Sequence, residues 1–259
     1  MQRFHNQTKN KKLIIGVGSA LIDILAHEDE AFLGKTGAVK GGMTYVDKAF
    51  IDETLLLASR APSLVPGGSA CNTVIGIGKL GGAARFVGKC GSGTMGEFFE
   101  NDLNRHNVEA VLLRSGSPTG RVLTIITPDA QRSMFTFLGA SAETEPQDIL
   151  QNFFTNAAIV HIEGYLLFNP QLIIKVLKTA KSAGARVSLD LASFNVVKES
   201  HAQLQDIVAA YVDILIANED EALAYTGHKD EARAIRALAA DAEIAVLKVG
   251  ERGSFIACG

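Results

Sequence analysis

Two adjacent glycines with an asparagine close behind, in Pro66-Gly67-Gly68-Ser69-Ala70-Cys71-Asn72, are residue types that can hold a hydroxyl-rich molecule. Consecutive glycines let backbone N–H groups approach a ligand closely. The helix that the following residues open would point its partially positive end at it. A tight turn in which Asn72 bonds only to backbone is the competing reading of this segment taken alone. Two other stretches match the Gly-x-Gly-x-x-Gly fingerprint of dinucleotide sites. Gly76-Ile77-Gly78-Lys79-Leu80-Gly81 has no strand before it and falls inside a helical pattern, so its glycines are read as helix packing. Gly91-Ser92-Gly93-Thr94-Met95-Gly96 follows a strand, opens a helix and precedes a second apolar run. Arg114 stands after that run where an NAD enzyme would carry an acid, so this alternative is an NADP-dependent oxidoreductase. Gly88-Lys89-Cys90 between strand and fingerprint, and the lack of a Tyr paired with Lys or His at catalytic spacing, argue against it.

Composition narrows the classes. A chain of 259 residues with 47% hydrophobic content can bury a full α/β core and leave material for a small second unit. A net charge of −3 with 20% charged residues offers no basic field for nucleic acid and no polybasic stretch for an anionic membrane. Small molecules are the expected partners. Cys71, Cys90 and Cys258 are isolated, without Cys-x-x-Cys spacing, which fits a reducing, cytoplasmic setting. Lys9, Lys11 and Lys12 before the apolar run 13–22 imitate a secretory signal, but two glycines interrupt the run and Asp23 closes it, so it is read as a strand. No segment is long enough to span a bilayer.

The elements that must position these residues follow from periodicity and turn chemistry. Residues 1–12 are a polar arm expected to be disordered. Residues 13–17 read as a buried strand. Between 26 and 47 glycines punctuate short β-like pieces, an excursion from the main sheet. Helices are expected over 47–59, 69–80 and 95–107, and strands over 83–87 and 108–113. Residues 120–128 and 132–138 alternate around a Pro-Asp-Ala turn as a hairpin. From 158 onward strands and helices alternate, which implies a parallel sheet with helices on both faces and a ligand at the carboxyl ends of its strands.

The run 66–82, with Gly-Gly-x-x-x-Asn and a glycine-rich helix exit, resembles the first signature of the ribokinase-like carbohydrate kinases, the PfkB family. Asn218-Glu219-Asp220-Glu221 is similar to its Asn-x-x-Glu motif, and Lys248-Val249-Gly250-Glu251-Arg252-Gly253 to the strand and turn that begin its ATP site. The segment 88–96 is similar to its second glycine cluster, with Ser92-Gly93 where relatives are commonly acidic. Within the family, the hairpin with Arg132-Ser133-Met134 resembles adenosine kinases and their bacterial relatives, although Ser19 stands where those carry Asn.

The resemblance implies a three-layer αβα core with a mainly parallel sheet and a small β lid. The core would comprise 13–25, 48–109 and 139–259, and the lid 26–47 and 110–138. It implies phosphoryl transfer from ATP to a hydroxyl of a sugar or nucleoside, adenosine or a related ribonucleoside before ribose or fructose. Asp23, Gly67, Gly68 and Asn72 would grip hydroxyls. Tyr165, with Phe135 and Phe137, would wall in a flat base unless those phenylalanines merely pack the hairpin. Asn218 and Glu221 would organise Mg²⁺ through water, where the plain reading is a capped acidic first turn. Gly250 and Gly253 would shape the nucleotide turn, and Arg132 would reach the phosphates. Lys248 reads as a strand-end residue. A homodimer through the lid is expected. No Gly-Ala-Gly-Asp segment, the family's place for the catalytic base, occurs in the 259 residues. The expectation is therefore a crippled catalyst: part of a longer kinase, or a non-catalytic sugar- or nucleoside-binding remnant.

Overall fold

The computed structural model describes residues 12–37 and 40–259; the expected N-terminal arm lies outside them apart from Lys12. In chain order the strands are β1 (Leu13–Val17), β2 (Leu21–His27), β3 (Met43–Tyr45), β4 (Ser63–Gly67), β5 (Ala84–Gly91), β6 (Val108–Ser115), β7 (Thr119–Ile126), β8 (Arg132–Gly139), β9 (Ala157–Glu163), β10 (Arg186–Asp190), β11 (Ile214–Asn218), β12 (Ile244–Lys248) and β13 (Ser254–Cys258). The helices are α1 (Glu30–Lys35), α2 (Lys48–Leu56), α3 (Ser69–Lys79), α4 (Thr94–Arg105), α5 (Pro170–Ser182), α6 (Phe194–Glu199), α7 (His201–Tyr211), α8 (Glu219–Thr226) and α9 (Glu231–Asp241).

Eight strands form one sheet in the order β13-β12-β11-β10-β9-β1-β5-β6, parallel except for β13, which runs antiparallel to β12. The strand-helix alternation dictates this arrangement, because each crossover helix returns the chain to the same edge. Five strands form a second sheet, β3-β8-β7-β2-β4. Residues 21–25 of β2 and Ser63–Gly67, placed with the core in the sequence reading, pair in this second sheet. Val108–Ser115 pairs with β5 in the main one. The turn at Gly18-Ser19-Ala20 sends the chain from one sheet to the other. β4, β13 and α6 also escaped the sequence reading, each being five or six residues long.

Apolar burial divides into two clusters. One, with Val160, Ile162, Val187, Leu189, Leu215 and Leu247, packs one face of the main sheet against α5 to α9. The other, with Ile22, Ile24, Phe86, Phe99, Leu123 and Phe135, joins the second sheet to α3, α4 and β5. Parallel sheets normally bury both faces. Here Ile214, Ile216, Ile244 and Val246 are only half-buried, and Ile256 beside Val246 is 68% exposed. α5 starts where Asn169 caps Leu172 N–H and Pro170 occupies the first turn.

Candidate functional site

Between the second sheet and the carboxyl ends of β1 and β9 lies a cavity of about 740 Å³. One wall is the inner face of the second sheet. Period-two alternation turns Leu21, Asp23 and Leu25 of β2, Val122 and Thr124 of β7, and Arg132, Met134, Thr136 and Leu138 of β8 toward it. The floor carries Gly68, Ser69 and Asn72 at the mouth of α3, with Glu163 ending β9 and Tyr165 just beyond it. Thus Asp23, Gly68, Asn72, Tyr165 and Arg132, spread over 143 positions, border one space.

The glycine pair has a steric reason. A Cβ on Gly67 would lie 2.1 Å from Asp23 Oδ1, so that carboxylate occupies the volume a side chain would need. Gly68 adopts φ +98°, and a Cβ there would lie 2.3 Å from the Ser19 carbonyl oxygen. Gly67→Ala is expected to push Asp23 out of position and weaken ligand binding by about tenfold or more while the chain still folds. Calorimetric titration with adenosine and with fructose checks this.

Burial, opposed by the Arg132 charge, pushes the Asp23 carboxyl up to about 6. Arg132, expected to reach the phosphates from the lid, borders the same cavity as Asp23. Burial also raises the hydroxyl of Tyr165, pushed up to about 12 with the nearby Tyr45 and Glu163 adding to it. Phe135 and Phe137 do not face the ligand space. Alternation along β8 turns them to the opposite face, where the Phe135 ring packs against Phe50 with centroids 4.8 Å apart and planes tilted by 40°. The apolar wall is supplied by Met43, Tyr45, Met134, Leu138 and Phe168 instead.

Glu163 is the residue that sequence reasoning missed. It is 1% exposed, yet its two oxygens accept the Ser19 N–H at 2.8 Å and the Ala70 N–H at 3.2 Å. The second of these belongs to the first turn of α3, so one N–H expected to face a ligand is already taken. A Cβ at Gly18 would lie 2.2 Å from the same carboxylate. Burial raises the Glu163 carboxyl above its ordinary range. The available signal was an acid closing the buried strand Ala157–Glu163, whose other residues are apolar except His161.

The remaining predicted residues do not border the cavity. Asn218 and Glu221 form a closed capping box: Glu221 N–H donates to Asn218 Oδ1 at 2.9 Å, and Asn218 N–H and Nδ2 donate to the two Glu221 oxygens at 2.8 Å each. Glu221 is 2% exposed, and its carboxyl is raised by burial and by the charge of Asp190. Gly250 and Gly253 take φ +57° and +94° in the turn between β12 and β13. Nothing lies near the position of a Cβ on either.

Gly91 and Gly96 serve close backbone packing, whereas open space surrounds the position of a Cβ on Gly93. A Cβ on Gly91 would lie 2.5 Å from Ser117 O, and one on Gly96 2.0 Å from Gly91 O. Arg114, which a 2′-phosphate would need, donates to Glu100, Gly91 O and Cys90 Sγ.

The description of pfkB family carbohydrate kinases matches residues 40–258. The chain belongs to the pfkB family. An adenosine kinase from Sinorhizobium meliloti is 30% identical, with a TM-score of 0.87 over 96% of this chain and 78% of its own. A probable sugar kinase from Rhizobium etli CFN 42 is 29% identical, with a TM-score of 0.88 over 96% and 77%. Among curated relatives, the 5-dehydro-2-deoxygluconokinase of Geobacillus thermodenitrificans is 28% identical over 73% of this chain and 60% of its own length. The probable fructokinase-4 of Arabidopsis thaliana is 25% identical over 74% and 64%. This pfkB chain therefore spans less than two thirds of the length of those curated relatives.

A kinase of this family implies ATP, with Mg²⁺ as its usual companion. Among the described residues no group of three or more His, Cys, Asp or Glu is arranged to hold a metal. Mg²⁺ keeps most of its waters and takes phosphate oxygens, so Glu221 would reach it only through water. Its carboxylate fits that role because the capping hydrogen bonds lock its orientation. Among the described residues no helix is long and apolar enough to cross a membrane.

Proposed function

We propose that this pfkB domain binds a nucleoside, adenosine or a close relative, and presents a hydroxyl of its ribose to the γ-phosphoryl group of MgATP. The observation that carries the reading is the two-ended cavity. Asp23, Gly68 and Asn72 give one end hydroxyl-binding groups, with Gly67 making room behind Asp23, and Met43, Tyr45, Met134, Leu138 and Phe168 give the other an apolar wall suited to a flat base. A fructose-type sugar is the second reading, favoured by the fructokinase and 5-dehydro-2-deoxygluconokinase relatives. It would leave that wall unused.

In this reading Asp23 accepts hydrogen bonds from two sugar hydroxyls, and Asn72 steadies their orientation. The second sheet acts as a lid that excludes water, so that solvent does not compete with the acceptor hydroxyl. Asn218 and Glu221 order the waters of Mg²⁺, which supplies charge neutralisation for the transferred group when bound. The turn holding Gly250 and Gly253 receives the nucleotide backbone-first.

The 259 residues contain no Gly-Ala-Gly-Asp segment, and we place no general base among them. The 259-residue chain is expected to bind its ligands yet turn over about 10²- to 10⁴-fold more slowly than a kinase with an acceptor carboxylate. Coupled measurement of ADP release with adenosine, ribose and fructose tests this. Turnover at an ordinary kinase rate would show that another residue serves as base. Binding of fructose but not adenosine would move the assignment to the sugar. A homodimer through the second sheet belongs to the same reading, since its edge strand β4 exposes Leu64 and Val65. Sedimentation at the 27.5 kDa monomer mass would rule it out.

A further inference from the structure

At the carboxyl edge of the main sheet, Glu163, Asp190, Asn218 and Lys248 end the four consecutive strands β9 to β12. Glu163 pairs with Asp190, and Asn218 with Lys248. Lys248 Nζ reaches across β11 to Asp190 Oδ2 at 2.7 Å. The other Asp190 oxygen accepts the Ala192 N–H at 2.9 Å, in a turn where Ala192 takes φ +64°. The aspartate is thereby held still while the lysine spans the tip of a neighbouring strand.

The pair is lopsided. The Asp190 side chain is 12% exposed and that of Lys248 is 44% exposed, so the ammonium end is the one open to an arriving ligand. An ion pair with one partner this accessible contributes little to stability, and the fold would not need Lys248 for it. Its charge is felt by both His161 and Glu221. On one side of the pair Glu163 borders the hydroxyl cavity. On the other begins the glycine turn of positive φ, with open space where side chains would stand.

We propose that Lys248 is a phosphate-binding residue, kept at the strand tips by Asp190 until the terminal phosphates of a nucleoside triphosphate replace that carboxylate as its partner. A lysine suits such an exchange. Its ammonium is a point charge with three donors on a flexible stem, so it can leave one oxyanion for another without needing a fixed fork of acceptors. The lone carboxylate that holds it is a weaker competitor than a polyphosphate of higher charge. This assignment rests on the kinase reading above, which by itself gives Lys248 no role.

The test is calorimetric titration of the 259-residue chain and its variants with MgATP and, separately, with magnesium tripolyphosphate, each variant's melting response to adenosine serving as control. Lys248→Met is expected to weaken both polyphosphates about tenfold or more, the loss of one charge-assisted contact. Lys248→Arg should retain binding within about threefold, and Asp190→Asn likewise, because it removes the holder and leaves the cation. The adenosine response should be unchanged in all three. If Lys248→Met binds both as the parent does, the inference fails while the kinase reading stands. If Asp190→Asn weakens binding as much as Lys248→Met, the pair is a structural brace and the inference also fails. A parent chain that binds neither polyphosphate in the presence of Mg²⁺ would sink the inference and the nucleotide half of the kinase reading together.

Discussion

Asp23→Asn should release the hydroxyl ligand and raise the melting temperature in the same protein. The carboxylate is pressed into a partly desolvated slot beside Gly67, and its carboxyl rises from 3.8 to about 6. Because the folded value lies above the unfolded one, the native state holds the proton more tightly. Stability therefore increases as pH falls from about 6 toward 4, and the full penalty is present above pH 6. That displacement corresponds to about 3 kcal/mol at most, so a neutral isostere is expected to raise the melting temperature at pH 7.5 by about 3 to 8 °C. It is also expected to weaken adenosine or fructose by about a hundredfold, two charge-assisted hydrogen bonds being lost. The parent's own affinity should decline below pH 6, by about tenfold for each further unit. Differential scanning calorimetry and titration over pH 5 to 8 read both effects. A variant that melts lower and binds normally would make Asp23 a structural residue.

Glu163→Ala should have the largest effect on folding. The side chain links three places: the turn between β1 and β2 through Ser19 N–H, the first turn of α3 through Ala70 N–H, and the end of β9 that carries it. Removing it leaves those donors without an acceptor where the carboxylate stood buried, a penalty of about 3 kcal/mol or more. A lowering of the melting temperature by about 6 to 12 °C is expected. Glu163→Gln is expected to lose roughly half as much, since its amide keeps one acceptor and turns a second donor toward an N–H. Ligand affinity should fall with both variants, because Ser19 and the mouth of α3 border the same cavity as Asp23. An alanine variant that melts with the parent would show that water replaces the carboxylate and that Glu163 is no anchor.

Much of the site was legible in residue order. Gly67 and Gly68 announce a close approach, and the structure gives each a reason: the Asp23 carboxylate for the first, the Ser19 carbonyl oxygen for the second. Asn218 and Glu221 were readable both as a motif and as a cap; the hydrogen bonds establish the cap, and any work on Mg²⁺ has to proceed through that locked geometry. The two phenylalanines of β8 show the opposite case. Their hydrophobicity was visible, but which face they join depends on how β8 aligns with β7, and a strand turned by one residue exchanges its faces.

By itself the sequence determined what local chemistry can carry: the strand and helix alternation from residue 158, the glycine turns, and a motif order specific enough to point to the family. Tertiary structure alone decided that β2 leaves the main sheet to face Asp23 toward Arg132, that Glu163 meets Ser19 from 144 positions away, and that Lys248 crosses β11 to Asp190. Periodicity and capping act over a few residues and leave their mark there. Pairings between distant strands depend on sheet order and register, which arise only when the whole chain buries its apolar faces together.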